Sequence, residues 1–192
     1  MTAQVIRPDL VPERSLPLRL DLFLAGGISG CWDWQNALSD KLINLTGGES
    51  NAIIANPRRS DGLAKTGGAA FEQISWEATA LTRSSAKVFF FTSDTLQPIV
   101  LFELGKELGR PERSRLFVYI ERGYEREFDV LAQCQLAGHK DPVFHGDKGD
   151  ISLFASAIAE YLVENDRGPL PAPIPIDRGG RRSSRIIGLS FH

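Results

Sequence analysis

Apolar and polar positions along the chain change period repeatedly, and each change marks an element. Leu18-Arg-Leu-Asp-Leu-Phe-Leu-Ala25 alternates and then becomes solidly apolar, as a strand does on entering a sheet covered on both faces. Asn51–Asn56, Lys87–Phe91, Arg115–Ile120 and Asp141–His145 read as four further strands. Between them lie helical stretches. Trp32–Ile43 is the first, with Asp33 placed to cap free amides and Gly47-Gly48 to stop it. Phe71–Leu81 is the second, its expected buried stripe being Phe71, Ile74, Ala78 and Leu81, with Glu77 on the border of that stripe. A third follows the polar turn after Phe91 and carries Ile99, Val100, Leu101, Phe102 and Leu104 around Glu103, ending at Gly109-Arg110-Pro111. Glu125–Ala137 is a fourth, with Phe128, Leu131 and Leu136 as its apolar positions, and Ile151–Val163 a fifth. Strict alternation of strand and helix predicts an α/β fold: a doubly wound, mostly parallel five-stranded sheet with helices on both faces.

The ends differ from this pattern. Residues 1–17 carry Pro8, Pro12 and Pro17 among charges and suit an extended lead-in or edge strand. The α/β domain is expected to span 18–165. From 166 to 192 a proline-rich linker leads to a basic and then apolar tail, which either stays disordered or docks on its own or a neighbouring subunit. At 192 residues and 42% hydrophobic, the chain has material for one such domain. A net charge of -2 argues against a binder of polymeric nucleic acid, which needs a basic surface. Two cysteines without CxxC spacing make no disulfide framework, and no window has signal-peptide or membrane-span character. A cytoplasmic protein without a membrane association is the expectation.

In doubly wound sheets ligands sit at the carboxyl ends of the strands, so the loops after strands one, two and three are the place to look. The first is Gly26-Gly-Ile-Ser-Gly30, read either as a turn facing a ligand, with Gly26, Gly27 and Ser29 in contact, or as a tight connection. It is neither GxGxxG nor a phosphate loop with Lys. The second carries Arg58 and Arg59, which either meet an anion or are solvated. The third leads to Glu103, a carboxylate among apolar neighbours, read as a surface residue or as a nucleophile. Histidines occur late in the chain and no serine stands in a GxSxG elbow. The loop Gly138–Asp150 has ligand-type side chains but no defensible metal spacing.

Leu22-Phe-Leu-Ala-Gly-Gly-Ile-Ser-Gly30, Asp33-Trp-Gln35, Asn56-Pro-Arg-Arg59, Gln73-Ile-Ser-Trp-Glu77 and Phe102-Glu-Leu-Gly105 together resemble the nucleoside 2-deoxyribosyltransferase-like proteins over about residues 18–140. The resemblance implies a flavodoxin-like or Rossmann-like domain acting on a small nucleoside or nucleotide. It also implies a homo-oligomer, and chemistry that requires no metal or redox cofactor. It gives Glu103 the role of nucleophile at the anomeric carbon and Glu77 that of assisting the departing base. The approach to Glu103 departs from the family's glycine-rich pattern, so the sugar hydroxyl contact passes to Asp94, to Gln97 or to neither. In relatives that cleave nucleotides, Arg58, Arg59 and Ser93 would be the first candidates for a phosphate. Cleavage or transfer at an N-glycosidic bond is thus the implied activity, and a catalytically inactive nucleotide-binding sensor or assembly module is the alternative.

Overall fold

The computed structural model describes residues 3–62, 67–111 and 114–166, so the C-terminal tail lies outside the described residues from 167 onward. Strands β1 (Gln4–Ile6), β2 (Leu20–Gly26), β3 (Ile53–Ala55), β4 (Ser84–Phe91), β5 (Arg115–Glu121) and β6 (Val143–Gly146) form one sheet in the order β1-β3-β2-β4-β5-β6. Every pairing is parallel. The helices are α1 (Trp34–Thr46), α2 (Gly67–Arg83), α3 (Pro98–Leu108), α4 (Glu127–Leu136) and α5 (Ser152–Glu164). None is long and apolar enough to cross a membrane.

The sheet has one strand more than the five expected. The addition is Gln4–Ile6, too short to carry a period of its own. Its pairing comes from β3: Gln4 N donates to Ala52 O (2.8 Å) and Asn56 N to Ile6 O (2.9 Å). Chain direction then explains the architecture. From the centre, the chain moves outward through β3 to one side of β2 and through β4, β5 and β6 to the other, so the order reverses between β2 and β4.

Both faces are covered because alternate residues of the central strands are apolar on both sides. Leu22, Leu24, Val88 and Phe90 pack under α1 and α5 against Trp34, Leu38, Phe154 and Ile158. Phe23, Ala25, Phe89 and Phe91 pack under α2, α3 and α4 against Trp76, Ala80, Val100, Leu104 and Val130. On the first face Phe90 is stacked between Trp34 (4.4 Å between centroids) and Tyr119 (4.5 Å). On the second, Lys87 is fully buried and its Nζ meets Glu107 Oε2 at 2.7 Å, tying β4 to the last turn of α3.

Two helices turn out to be rotated relative to the expected stripes. On α2 the buried line is Gln73, Trp76, Ala80 and Leu81, while Phe71 and Ile74 are 71% and 61% exposed. Trp76 is the larger anchor, and its indole N–H finds the Val11 carbonyl at 2.8 Å, so it takes the inward position. On α4 the buried residues are Val130 and Cys134, and Phe128 and Leu136 face outward. By contrast α1 is capped as expected, with Asp33 accepting from Asn36 N (3.2 Å) and Gly47 closing it in the left-handed region. On α5, Ile151, Phe154, Ile158 and Leu162 are buried.

Candidate functional site

Where the strand order reverses, the β2 and β4 loops part and leave a cleft of about 420 Å³ between α2 and α3. Gly26, Gly27, Ser29, Glu77, Gln97 and Glu103 all line it, together with Pro57, Ile99 and Val100. Six of the residues singled out from the sequence therefore meet in one place. They come from loops or helices separated by up to 77 positions in the chain, and only the topology brings them together.

The glycines are needed for packing. A Cβ on Gly26 would run into the Trp34 indole and lie 2.7 Å from the Phe90 carbonyl oxygen; one on Gly27 would strike Cys31 Sγ and come within 2.7 Å of Gln97 Cδ. Gln97 is the reason the β2 turn is held so closely. Its Oε1 accepts from Gly27 N (2.9 Å), and its Nε2 donates to Thr92 O (2.8 Å) and Thr92 Oγ1 (2.8 Å). It is also the one non-glycine residue with positive φ (51°) among the described residues, at the N-cap of α3 immediately before Pro98. A left-handed side chain costs on the order of 1 kcal/mol. The three hydrogen bonds offset that cost and fix where α3 begins. The amide of Gln97 is accordingly committed to the protein's own loops.

Glu77 and Glu103 face the cleft from α2 and α3, and both are half-buried. Glu103 lies in the second turn of α3, where the apolar cleft wall withdraws water from it. Its carboxyl is pushed up to about 7, first by burial and next by the charge of Glu77; Lys106 opposes the rise and Glu107 adds to it. Burial also raises Glu77, against a hydrogen bond from Gln73. Gln73 Nε2 donates to Glu77 Oε1 (2.6 Å) and to the Pro57 carbonyl (2.9 Å), so it joins α2 to the β3 loop and orients the carboxylate. Gln73 was not among the candidates. Its position one helical turn before Glu77 was the available signal.

Asp94, Ser93, Arg58 and Arg59 are placed outside the cleft lining. Asp94 accepts from Lys148 Nζ (2.6 Å) and Trp32 N (3.2 Å), and the lysine holds its carboxyl below the usual range. Ser93 directs its N–H (2.9 Å) and Oγ (3.2 Å) to Glu121, a fully buried carboxylate that also takes the Trp32 indole N–H at 2.5 Å. Arg58 lines a neighbouring cavity, bonding Gln35 Oε1 and Trp32 O (3.0 Å each) and pairing with Asp33 (3.0 Å). Among the described residues no group of three or more His, Cys, Asp or Glu is arranged to hold a metal ion.

The arrangement is a cleft with a mainly apolar wall and two carboxylates, one of them titrating near neutrality, at the switch point of a parallel sheet. Such a pair can attack an electrophilic carbon and move a proton. A family model described as nucleoside 2-deoxyribosyltransferase like matches residues 19–124, which is more than half of the chain and includes both carboxylates. The chain belongs to that family. No curated protein matches it.

Proposed function

We propose that the protein cleaves or transfers at the N-glycosidic bond of a (deoxy)nucleoside or nucleotide through a covalent intermediate on Glu103. The observation that carries this reading is the pair Glu77 and Glu103 in one cleft, with Glu103 titrating near 7. In the ionised form a Glu103 oxygen attacks the anomeric carbon. The C–N bond breaks, its electron pair leaves with the base, and Glu77 in its protonated form delivers a proton to the base nitrogen. The oxocarbenium character of the transition state is stabilised by the same carboxylate that then forms the ester. Water or a second base attacks that ester, Glu77 accepts the proton, and Glu103 is released. Like charges in one low-dielectric cleft favour a single proton between them, and the first step proceeds from the form that has this proton on Glu77 and the charge on Glu103. Gly26, Gly27 and Ser29 form the floor under the sugar, and Gln97 shapes it through the loops it holds.

Chromatography of the purified protein with deoxynucleosides, ribonucleosides, their monophosphates and a free acceptor base tests the reading. Base release or exchange is expected from the wild type and a loss of at least a thousandfold from Glu103→Ala. No turnover by folded wild type that still binds one of these compounds would favour the nucleotide-binding sensor instead.

The reading includes a homo-oligomer. Phe71, Ile74 and Phe102 stand 61–71% exposed on α2 and α3, the two helices that bound the cleft, and none of them lines it. Together they present roughly 400 Å² of apolar surface, about half of the ~800 Å² each partner buries in a stable interface. A second copy is the occupant that such a face fits, because an isologous contact needs only self-complementarity. Sedimentation velocity is expected to give an oligomer for the wild type and a monomer for Phe102→Asp.

A further inference from the structure

A second cavity, of about 470 Å³, opens beside the carboxylate cleft and shares Ile28 and Ser29 with it. Its chemistry is different. Arg7, Arg58 and Arg59 line it together with Ser29, Ser60 and Asp33. The three arginines are brought together by the sheet. β1 and β3 are parallel neighbours with Ile6 opposite Ala55, so the residues that follow each strand leave the same carboxyl edge side by side. Arg7 comes directly after β1, and Arg58 and Arg59 come three and four residues after β3. The edge strand thus delivers a cation to the ligand side of the sheet.

The guanidinium groups are held to different degrees. Arg59 is engaged by both oxygens of Asp61 (2.6 Å each), and Asp9 accepts from Ser60 nearby. Arg58 is braced by Trp32 O, Gln35 and one oxygen of Asp33, which also caps α1. Arg7 donates to the neutral amide oxygen of Asn36 (2.6 Å) and forms no ion pair among the described residues. Asn36 in turn accepts from Asn56 Nδ2 (3.1 Å), so Arg7 is fixed in place without its charge being neutralised. A fixed, un-neutralised guanidinium beside a second one is suited to a phosphate oxygen pair.

We infer that this cavity is an anion subsite for the 5′-phosphate end of a nucleotide whose sugar and base occupy the carboxylate cleft, Ser29 lying at the junction. The inference rests on the N-glycosidic reading above and narrows its substrate class from nucleosides to nucleotides. Arg7 supplies the free charge, Arg58 the braced wall, and Ser29 a hydroxyl at the junction.

The test compares a nucleoside with its 5′-monophosphate on wild type, Arg7→Gln and Arg59→Gln, by kcat/KM and by calorimetric binding at fixed ionic strength. Wild type is expected to favour the monophosphate by about tenfold or more, with inorganic phosphate competing against the monophosphate more strongly than against the nucleoside. Arg7→Gln should remove most of that preference through KM, with thermal melting confirming the fold. Arg59→Gln, on a residue already paired to Asp61, should remove less. Equal use and equal binding of the two forms by wild type overturns the subsite while leaving the glycosidic reading intact. If neither form turns over, the binding arm decides: a phosphate preference lost in Arg7→Gln supports the subsite, and its absence overturns it. An unchanged preference in folded Arg7→Gln also overturns it.

Discussion

Replacing Glu77 by Gln removes one charge from the cleft and keeps the shape of the side chain. The rise of Glu103 from 4.5 to about 7 has burial as its largest cause and the charge of Glu77 as its second. The part due to Glu77 is smaller than the part due to burial, and one unit charge across a cleft of this kind is expected to move the midpoint by roughly 0.5–1 pH unit, about 1 kcal/mol of interaction. A nucleophile must be ionised, so kcat/KM should rise with pH through a limb centred near 7 in the wild type. In Glu77→Gln the limb should move toward acid. The maximum, beyond which wild-type activity falls as Glu77 loses its proton, should also drop, by about 10²–10⁴-fold, because the leaving base loses its proton donor. Since the two groups titrate together, the wild-type limb belongs to the pair. Carboxyl carbon shifts of labelled protein followed by NMR give the same midpoint without a substrate. A Glu103 midpoint near 4.5 in wild type, or one that does not move in Glu77→Gln, would refute the coupling and with it the shared proton on which the mechanism depends.

Glu103→Gln should be more stable than wild type at pH 8. Its folded-state carboxyl titrates above the unfolded one, so the favourable contribution is complete below about 4.5 and is lost as pH rises through about 7. The gain, on the order of 2–3 kcal/mol in urea titrations at pH 8, should shrink toward zero at pH 4. Lys87→Met leaves Glu107 buried beside Arg110 alone (3.1 Å) and should cost about 3 kcal/mol. Lys87→Met with Glu107→Leu should recover most of that loss, and a double variant no more stable than the single one would count against the pair as the cause. Both Gln97→Ala and Gln97→Gly lose the bracket between the β2 and β4 loops, but glycine tolerates φ of 51°. The glycine variant should therefore melt higher, by about 1 kcal/mol in stability, while both lose turnover. Equal melting of the two would mean that the left-handed conformation does not persist.

How far the sequence could be read follows from what each residue's neighbours require. Strands β2, β4 and β5 were legible because a fully covered strand must be apolar on both sides, and no other element of this length needs that. β1 was legible as an extended lead-in or edge strand; three residues carry no period, so its bounds and its partner in the sheet are set by β3. The phase of α2 was misread for one reason. A helical stripe of Phe71, Ile74 and Ala78 has the right spacing for burial, but the sheet presents only enough surface for one face of α2, and Trp76 on the opposite side fills it. The sequence records that α2 has two apolar faces; which of them meets the sheet depends on the third dimension.

The site divides in the same way. Glu103 and Glu77 could be singled out because a carboxylate within or beside an apolar stripe needs a reason to be there. Gly26 and Gly27 could be singled out too, either as a turn facing a ligand or as a tight connection, and the packing supplies the second of these reasons. A glycine after a first strand suggests close approach of a ligand; here the close approach is made by Trp34, Cys31 and Gln97. That substitution has a functional consequence. With Gln97 Oε1 seated on Gly27 N, the β2 turn is tied to the start of α3, and Glu103 lies in the second turn of that helix. Lys87 holds the other end of α3 through Glu107, one turn beyond Glu103. The carboxylate is thus fixed between an N-terminal bracket and a C-terminal ion pair, neither of which touches the cleft contents directly through a free polar atom. Rigid placement of a nucleophile saves the entropy of aligning it with the reacting carbon. It follows that substitutions at Gln97 and Lys87 should lower kcat more than they raise KM. The reverse pattern would mean that the two anchors serve stability alone.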